Sequence, residues 1–447
     1  MNRRRFLSST LNMGAVISVS IGRSSRPLAS KIASLRSAPP LRLAGRTLEQ
    51  LREQYRHDLF DDFLPFMEKF VIDREYGGFM CYLDRDGKRL SSDKNSWFEG
   101  RGIWVYSFLY NHLVREEKYL EVARKSVQFI LKTRPTGDRL WPQVLTREGA
   151  PRGKPATQIY GDLFIAEGLT EYFIATQEQQ YLNLAKQILD KCVRIYDRID
   201  YAPEIGKTYL GKHANPFPGA RILGVWMVLL RVVSQMLAIE PDPHLVSLAD
   251  RCIDAIMNFH YNPRFDLINE LINHDLSRPN NEYAQLVYTG HAIETMWILL
   301  YEALRRQDKS LFSEAARRFK RHVQVAWDDV YGGVFRNLKH VDQNVWSLDK
   351  ALWEQEEVLI GTLCMVEHTG STWAKEMFGQ MYNYIQEKFP LKQYGFPLWI
   401  LYADRKVTFE RHYNRIGNYH HPRHLMLNLL SLNRMIKRNG KVLDRLK

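Results

Sequence analysis

His291 follows the turn Tyr288-Thr289-Gly290 at the head of an apolar-periodic segment, and Glu294 comes three residues later on the same helical face. An imidazole can take and return a proton near neutral pH, and a carboxylate within reach orients it and tunes its basicity. A histidine at a helix start can also be a cap or a satisfied core residue; the Gly turn and the spaced acid favour chemistry. A second imidazole group stands in Asn418-Tyr419-His420-His421-Pro422-Arg423-His424, where Pro422 suits a first helical turn. Three histidines and an arginine in that run look like metal ligands, but no Asp, Glu or Cys stands near them in the sequence, so no metal is expected. Proton transfer by His420, facing His291 across a pocket, fits better. Arg101 sits between Gly100 and Gly102, flanked by Trp97 and Trp104, an unusual setting for a surface charge. Its forked donors suit a hydroxyl or carbonyl oxygen, and the tryptophans suit the C–H face of a sugar ring. Asp162 reads as a helix cap. Lys350, Trp353 and Glu357 taken alone read as an ion pair around a core tryptophan. Two imidazoles, an arginine and a glutamate, with no nucleotide fingerprint, serine elbow or metal box, point to proton abstraction beside a carbonyl. That step needs a base on one face and stabilisation of the enediolate oxygen, for which Arg101 is suited. Reprotonation from the opposite face inverts the centre.

Helical periodicity supplies the frame that must position these groups. Apolar residues recur at i, i+3, i+4 and i+7 in pairs of segments: 47–70 and 101–114, 117–133 and 161–176, 178–197 and 219–239, 243–259 and 287–306, 308–326 and 351–368, 371–387 and 421–438. The second members begin about 58 to 70 residues apart, which marks a repeat architecture. Between paired helices lie Gly- and aromatic-rich loops such as Tyr76-Gly77-Gly78-Phe79 and Tyr331-Gly332-Gly333-Val334-Phe335, whose turn signals predict short hairpins. Six helical hairpins closing on themselves give an all-α (α/α)6 barrel, a toroid with short β-hairpins in the loops at one end. An open helical solenoid is the alternative, and the long decorated loops favour closure. Parallel inner helices would bring the polar residues at their starts to one pocket.

The chain has 447 residues, 45% of them hydrophobic and 25% charged, which suits a large core and excludes a disordered, collagen-like or disulfide-dense protein. The formal charge of +13 first suggests a nucleic-acid or membrane partner. Residues 1–46, however, carry nine of the basic residues and no acid, leaving only +4 on the remainder. No nucleic-acid partner is expected. Arg3-Arg4-Arg5-Phe6-Leu7, a mild apolar stretch and then small residues look like a Tat-type signal peptide over 1–29. A linker over 30–46 and a single catalytic barrel over 47–447 follow. The expected location is periplasmic or extracytoplasmic, without stable membrane insertion after export, since no stretch reaches the length of a spanning helix. Cys81, Cys192, Cys252 and Cys364 lie far apart, without C-x-x-C spacing, and read as buried free thiols.

Gly77-Gly78-Phe79, Gly100-Arg101-x-x-Trp104, Gly290-His291-x-x-Glu294-x-x-Trp297, Lys350-x-x-Trp353-x-x-x-Glu357 and His420-x-Pro422-Arg423 together resemble the N-acylglucosamine 2-epimerase family, over about residues 47–438. The resemblance implies an (α/α)6 barrel that needs no cofactor. It would invert C2 of an open-chain aldose or N-acyl hexosamine, or interconvert aldose and ketose. By that likeness His291 and His420 are the acid/base pair, Arg101 binds the C1 and C2 oxygens, and Glu294 supports His291. Trp104, Trp353, Glu357, Arg423 and Lys350 would complete the surroundings of a small-molecule sugar; a homodimer is a compatible assembly. The chain departs from the family in Asn215-Pro216-Phe217-Pro218-Gly219, which lacks a pocket histidine, in Leu352 beside Trp353, and in Gly395-Phe396-Pro397. Two other readings stay open. One is a glycoside hydrolase or lyase drawing two carboxylates from Glu99, Asp162, Glu294 and Glu357. The other is a catalytically silent barrel that binds carbohydrate or protein.

Overall fold

The computed structural model describes residues 41–84, 86–203, 205, 209–390, 400–402, 405–406 and 417–443. The expected signal peptide, the linker up to residue 40 and Gly395-Phe396-Pro397 lie outside the described residues. Long helices follow one another in chain order. They are α1 (Leu48–His57, carried on through wider turns at Asp58–Phe63 and Met67–Val71), α2 (Ser96–His112), α3 (Glu117–Lys132), α4 (Tyr160–Thr176), α5 (Gln179–Tyr196), α6 (Leu223–Leu237), α7 (Pro243–Asp254), α8 (Thr289–Arg306), α9 (Lys309–Ala326), α10 (Leu352–Thr369), α11 (Thr372–Lys388) and α12 (His420–Lys437).

The even-numbered helices form an inner ring. Each packs on the next, and α12 returns to α2. That last contact closes the barrel and excludes the open solenoid. Each odd-numbered helix covers the inner helix that precedes it, with α1 doing so for α12. Burial explains the two patterns: α2 and α4 are buried on nearly all sides, whereas α3 buries a single stripe including Leu120, Ala123, Val127 and Ile130. At Gly100 the α2 and α4 backbones approach so closely that a Cβ would lie 2.3 Å from the Phe164 carbonyl carbon.

Turns from an inner to the following outer helix are short, and α4, α8 and α10 end on the left-handed residues Gln177, Gln307 and Gly370. The return loops are long. They carry all the short strand pairs except Arg42–Leu43 with Arg46–Thr47, so the strands gather where the inner helices begin. That exception places one hairpin at the other end of the barrel. Residues 41–46 are therefore folded rather than linker: Arg42 pairs with Thr47, which caps α1 in a box with Gln50. Two helix starts also move. The α2 helix begins at Ser96 instead of 101, because the Asn95 side chain accepts from the Trp97 amide. The α6 helix begins at Leu223 instead of 219, because Arg221–Ile222 pairs as a strand with Leu271–Ile272.

The repeat persists at the level of single atoms. Asp73 accepts from the Glu75 and Tyr76 amides, and Lys94 bonds both Asp73 (3.1 Å) and the Gly77 carbonyl (2.5 Å). Four repeats later Asp328 accepts from the Val330 and Tyr331 amides, and Lys350 bonds Asp328 (2.5 Å) and the Gly332 carbonyl (2.6 Å). Each Gly-Gly turn is thus pinned to the strand that leads into an inner helix. All four cysteines are buried, and no helix of the described residues is long and apolar enough to cross a membrane.

Candidate active site

A cavity of about 350 Å³ opens where the inner helices begin. Of the nine expected site residues, Arg101, His291, Glu294, Trp353, His420 and Arg423 line it, while Trp104, Lys350 and Glu357 do not. Trp104 lies one turn deeper than Arg101 on α2, stacked on Phe108 at 4.6 Å. Lys350 is the fully buried clamp described above, with its ammonium spent on Asp328 and Gly332. Glu357, one turn below Trp353 on α10, acts from behind His420.

The two imidazoles share one design. His291 Nδ1 lies 2.8 Å from Oε1 of Glu270, a fully buried carboxylate that also accepts from the Tyr209 hydroxyl at 3.1 Å. His420 Nδ1 lies 2.9 Å from Oε1 of Glu357, also fully buried, which accepts from the Trp297 indole at 2.6 Å through its other oxygen. In each case the carboxylate holds the proton on Nδ1 and leaves Nε2 as the working nitrogen. Arg423 has two hydrogens on Nη2, directed at Glu294 (2.7 Å) and Glu357, so its 3.0 Å approach to His420 Nδ1 is a contact and not a third donation. Trp353 packs near both rings, 6.0 Å from His291 and 5.0 Å from His420 between centroids. Two glycines make room: a Cβ at Gly224 would stand 2.9 Å from the His291 ring, and one at Gly290 would stand 2.6 Å from Trp353.

Glu294 therefore does not orient His291, as the spacing suggested. A residue three positions along the helix is near enough to act through space, but the hydrogen bond comes from Glu270. Glu270 lies between two strand fragments, with its amide on the Leu286 carbonyl and its own carbonyl on the Leu223 amide. The available signal was an acid within the apolar run Leu267-Ile268-Asn269-Glu270-Leu271-Ile272. Tyr419 was also missed. Its ring packs against the guanidinium groups of Arg101 (4.8 Å) and Arg423 (4.7 Å), and its hydroxyl donates to Glu167, the partner of Arg231. The Arg101 guanidinium also lies 4.0 Å from the centroid of the Phe164 ring.

The electrostatics separate the two histidines. Burial alone would push His291 down, but Glu270 outweighs it and raises the imidazole above its ordinary value; Glu294 adds to this and Arg101 opposes it. Burial, reinforced by Arg423, holds His420 well below the ordinary value. The two shifts thus run in opposite directions, favouring the protonated form at His291 and the neutral form at His420, within one cavity.

The other carboxylates take structural places. Glu99 is fully buried, accepts from the Phe79 amide at 2.9 Å, and burial pushes its carboxyl up to about 8. Asp162 is no helix cap; it pairs with Lys191 at 2.5 Å and accepts from the Trp141 amide. Glu294 is the one acid lining the cavity among the described residues, whereas a hydrolase needs two facing carboxylates. Phe217, in the segment without the pocket histidine, stacks on Tyr283.

Comparison with known proteins agrees with this geometry. The chain is 27% identical over 406 residues to N-acylglucosamine 2-epimerase of Bos taurus, covering 88% of this chain and 93% of that protein. It is 25% identical over 337 residues to cellobiose 2-epimerase of Dictyoglomus turgidum, covering 71% and 81%. The solved structure of cellobiose 2-epimerase from Spirochaeta thermophila superposes with a TM-score of 0.72 at 17% identity, over 87% of this chain and 98% of that one, a likeness of fold. The sequence pattern of the N-acylglucosamine 2-epimerase (GlcNAc 2-epimerase) family matches residues 77–421, most of the chain, and the protein belongs to that family.

Proposed function

We propose that this protein is a sugar 2-epimerase, an isomerase that inverts C2 of an open-chain aldose or N-acyl hexosamine by proton transfer between two histidines. The observation that carries this is the pair His291 and His420 in one cavity, each with Nδ1 held by a buried carboxylate. His420 Nε2 takes the C2 proton; the C–H electrons form the C1–C2 double bond and the negative charge moves to O1. Arg101, on the cavity wall, supplies donors for that oxygen. His291 then gives its proton to the opposite face of C2, and the carbonyl re-forms. The enzyme is left with a neutral His291 and a cationic His420, and exchange with water resets it.

Reaction in deuterium oxide tests this. Deuterium is expected at C2 of both epimers recovered from a turned-over aldose or N-acyl hexosamine. A panel of such sugars with no deuterium incorporated would sink the proposal, and a ketose product would move the second proton transfer to C1.

The raised His291 imidazole also sets a pH dependence. His291 must be cationic to act as acid, so activity toward the epimer deprotonated by His420 falls as pH rises through the raised His291 value. Glu270→Gln removes the charge that raises it, while burial and Arg101 still lower it. The alkaline limb of kcat is expected to move to lower pH, with kcat itself down by about 10²-fold from the disoriented imidazole. An unmoved alkaline limb in Glu270→Gln would show that His291 is not that acid.

The basic, then apolar, then small-residue order of residues 1–29 supports export of the enzyme by a twin-arginine route, and this too is a proposal.

A further inference from the structure

Behind the catalytic pair lies a cluster that proton transfer does not use. His421 and His424 occupy the first turn of α12, and Glu356 stands opposite them on α10. One ligand atom from each, the three together, lies within a 4.8 Å spread. His421 Nδ1 meets Glu356 Oε1 directly, and His424 Nδ1 points at the same oxygen from 3.5 Å. Glu356 and His424 are both more than nine-tenths buried. Yet Glu356 Oε2 and His424 Nδ1 have no hydrogen-bond partner among the described residues. Buried polar atoms are rarely left so, and here two of them belong to one cluster.

The outer surroundings are also those of a ligand. His424 Nε2 lies 3.0 Å from the Tyr55 hydroxyl, which in turn accepts from the Asn428 amide at 3.0 Å. A second ring nitrogen fixed by a polar neighbour is the usual support of a metal-binding histidine. Asp58 and Asp62, on the continuation of α1, add negative potential at His421. A neighbouring trio, Glu294, Glu357 and His420, offers two carboxylates and one imidazole, but there the Arg423 guanidinium already supplies the cation. At Glu356 a cation held between the three side chains would satisfy the two orphaned atoms together.

We propose that Glu356, His421 and His424 bind one divalent transition-metal ion of the zinc class, with water completing a tetrahedral shell. Two imidazoles and a carboxylate suit zinc or cobalt better than calcium or magnesium, which prefer all-oxygen shells. The ion ties the first turn of α12 to α10, one residue from His420. It takes no part in the chemistry at C2.

The test uses the full chain, stripped with chelator and titrated with cobalt(II) chloride. One equivalent is expected to give the intense visible bands of four-coordinate cobalt. Saturating zinc is expected to raise the melting temperature of the stripped chain by about 4 °C. Glu356→Gln and His424→Gln should each abolish the cobalt bands. A stripped chain that binds no cobalt would overturn the assignment, as would either variant keeping the wild-type spectrum. Should the variants fail to fold, X-ray absorption at the zinc edge of the wild-type chain decides: two imidazoles in the shell support the site, and none refutes it.

Discussion

Replacing His420 with Gln is expected to stop epimerisation while sparing half of the partial chemistry. In the proposed scheme the two histidines act on opposite faces of C2, so each one alone can still remove and return a proton on its own side. With His420→Gln, the epimer whose C2 hydrogen faces His291 should continue to exchange that hydrogen for solvent deuterium, with retained configuration. The other epimer should be inert. His291→Gln should give the mirror result, leaving exchange only in the epimer that faces His420. Net epimerisation should fall by about 10²- to 10⁴-fold in either variant, the usual contribution of one positioned acid or base. The pH dependence carries the same signature. Glu270 raises the His291 imidazole against its burial, and the exchange left in His420→Gln needs His291 in its neutral form, so that exchange should rise with pH through the raised value. Mass spectrometry of each pure epimer after incubation in deuterium oxide reads all of this. Equal loss of exchange from both epimers in a single variant would mean that one histidine serves both faces, and the two-base scheme would fail.

Local regularities were easy to read from the sequence, and long-range pairings were not. The barrel follows from periodicity, because buried inner helices and striped outer helices differ in ways that composition alone records. The convergence of Arg101, His291 and His420 follows from a simple rule, that the starts of parallel inner helices share one end. What stayed hidden was which partner each side chain would meet. Glu270 stands 21 residues from His291 and reaches it because two strand fragments fold back beside α6 and α8. Glu356 stands 65 residues from His421, so the histidine run near residue 420 looked devoid of acids when the neighbouring helix supplies one. Lys350 shows the converse error. The family resemblance implied a place for it around the sugar, but the same Asp, Gly-Gly and Lys pattern recurs at Asp73 and Lys94, where the job is to pin a turn. Comparing the two copies within the sequence would have shown it.

Arg423 is where the largest stability effect is expected. Its guanidinium is 1% exposed and bridges Glu294 and Glu357, both buried, so its removal strands two carboxylates in the core. Arg423→Met keeps much of the volume and none of the charge. Loss of one partner from such a buried network costs about 3–5 kcal/mol, because the remaining charges keep their desolvation penalty without the attraction that offset it. Thermal unfolding should show the deficit, and its pH dependence identifies the cause. Burial already raises the Glu357 carboxyl and Arg423 is the main influence holding it down, so the variant raises it further. A carboxylate whose folded value lies above its unfolded value loses stability as pH rises between the two. The deficit relative to wild type should therefore shrink at acidic pH and grow toward neutrality. Adding Glu294→Gln to Arg423→Met should recover part of the stability by removing one stranded charge, yet restore no turnover, since His420 still lacks its ordered carboxylate. A deficit that ignores pH, or a double variant no more stable than the single, would assign the loss to packing around Trp297 and Tyr419, the rings on which the guanidinium lies.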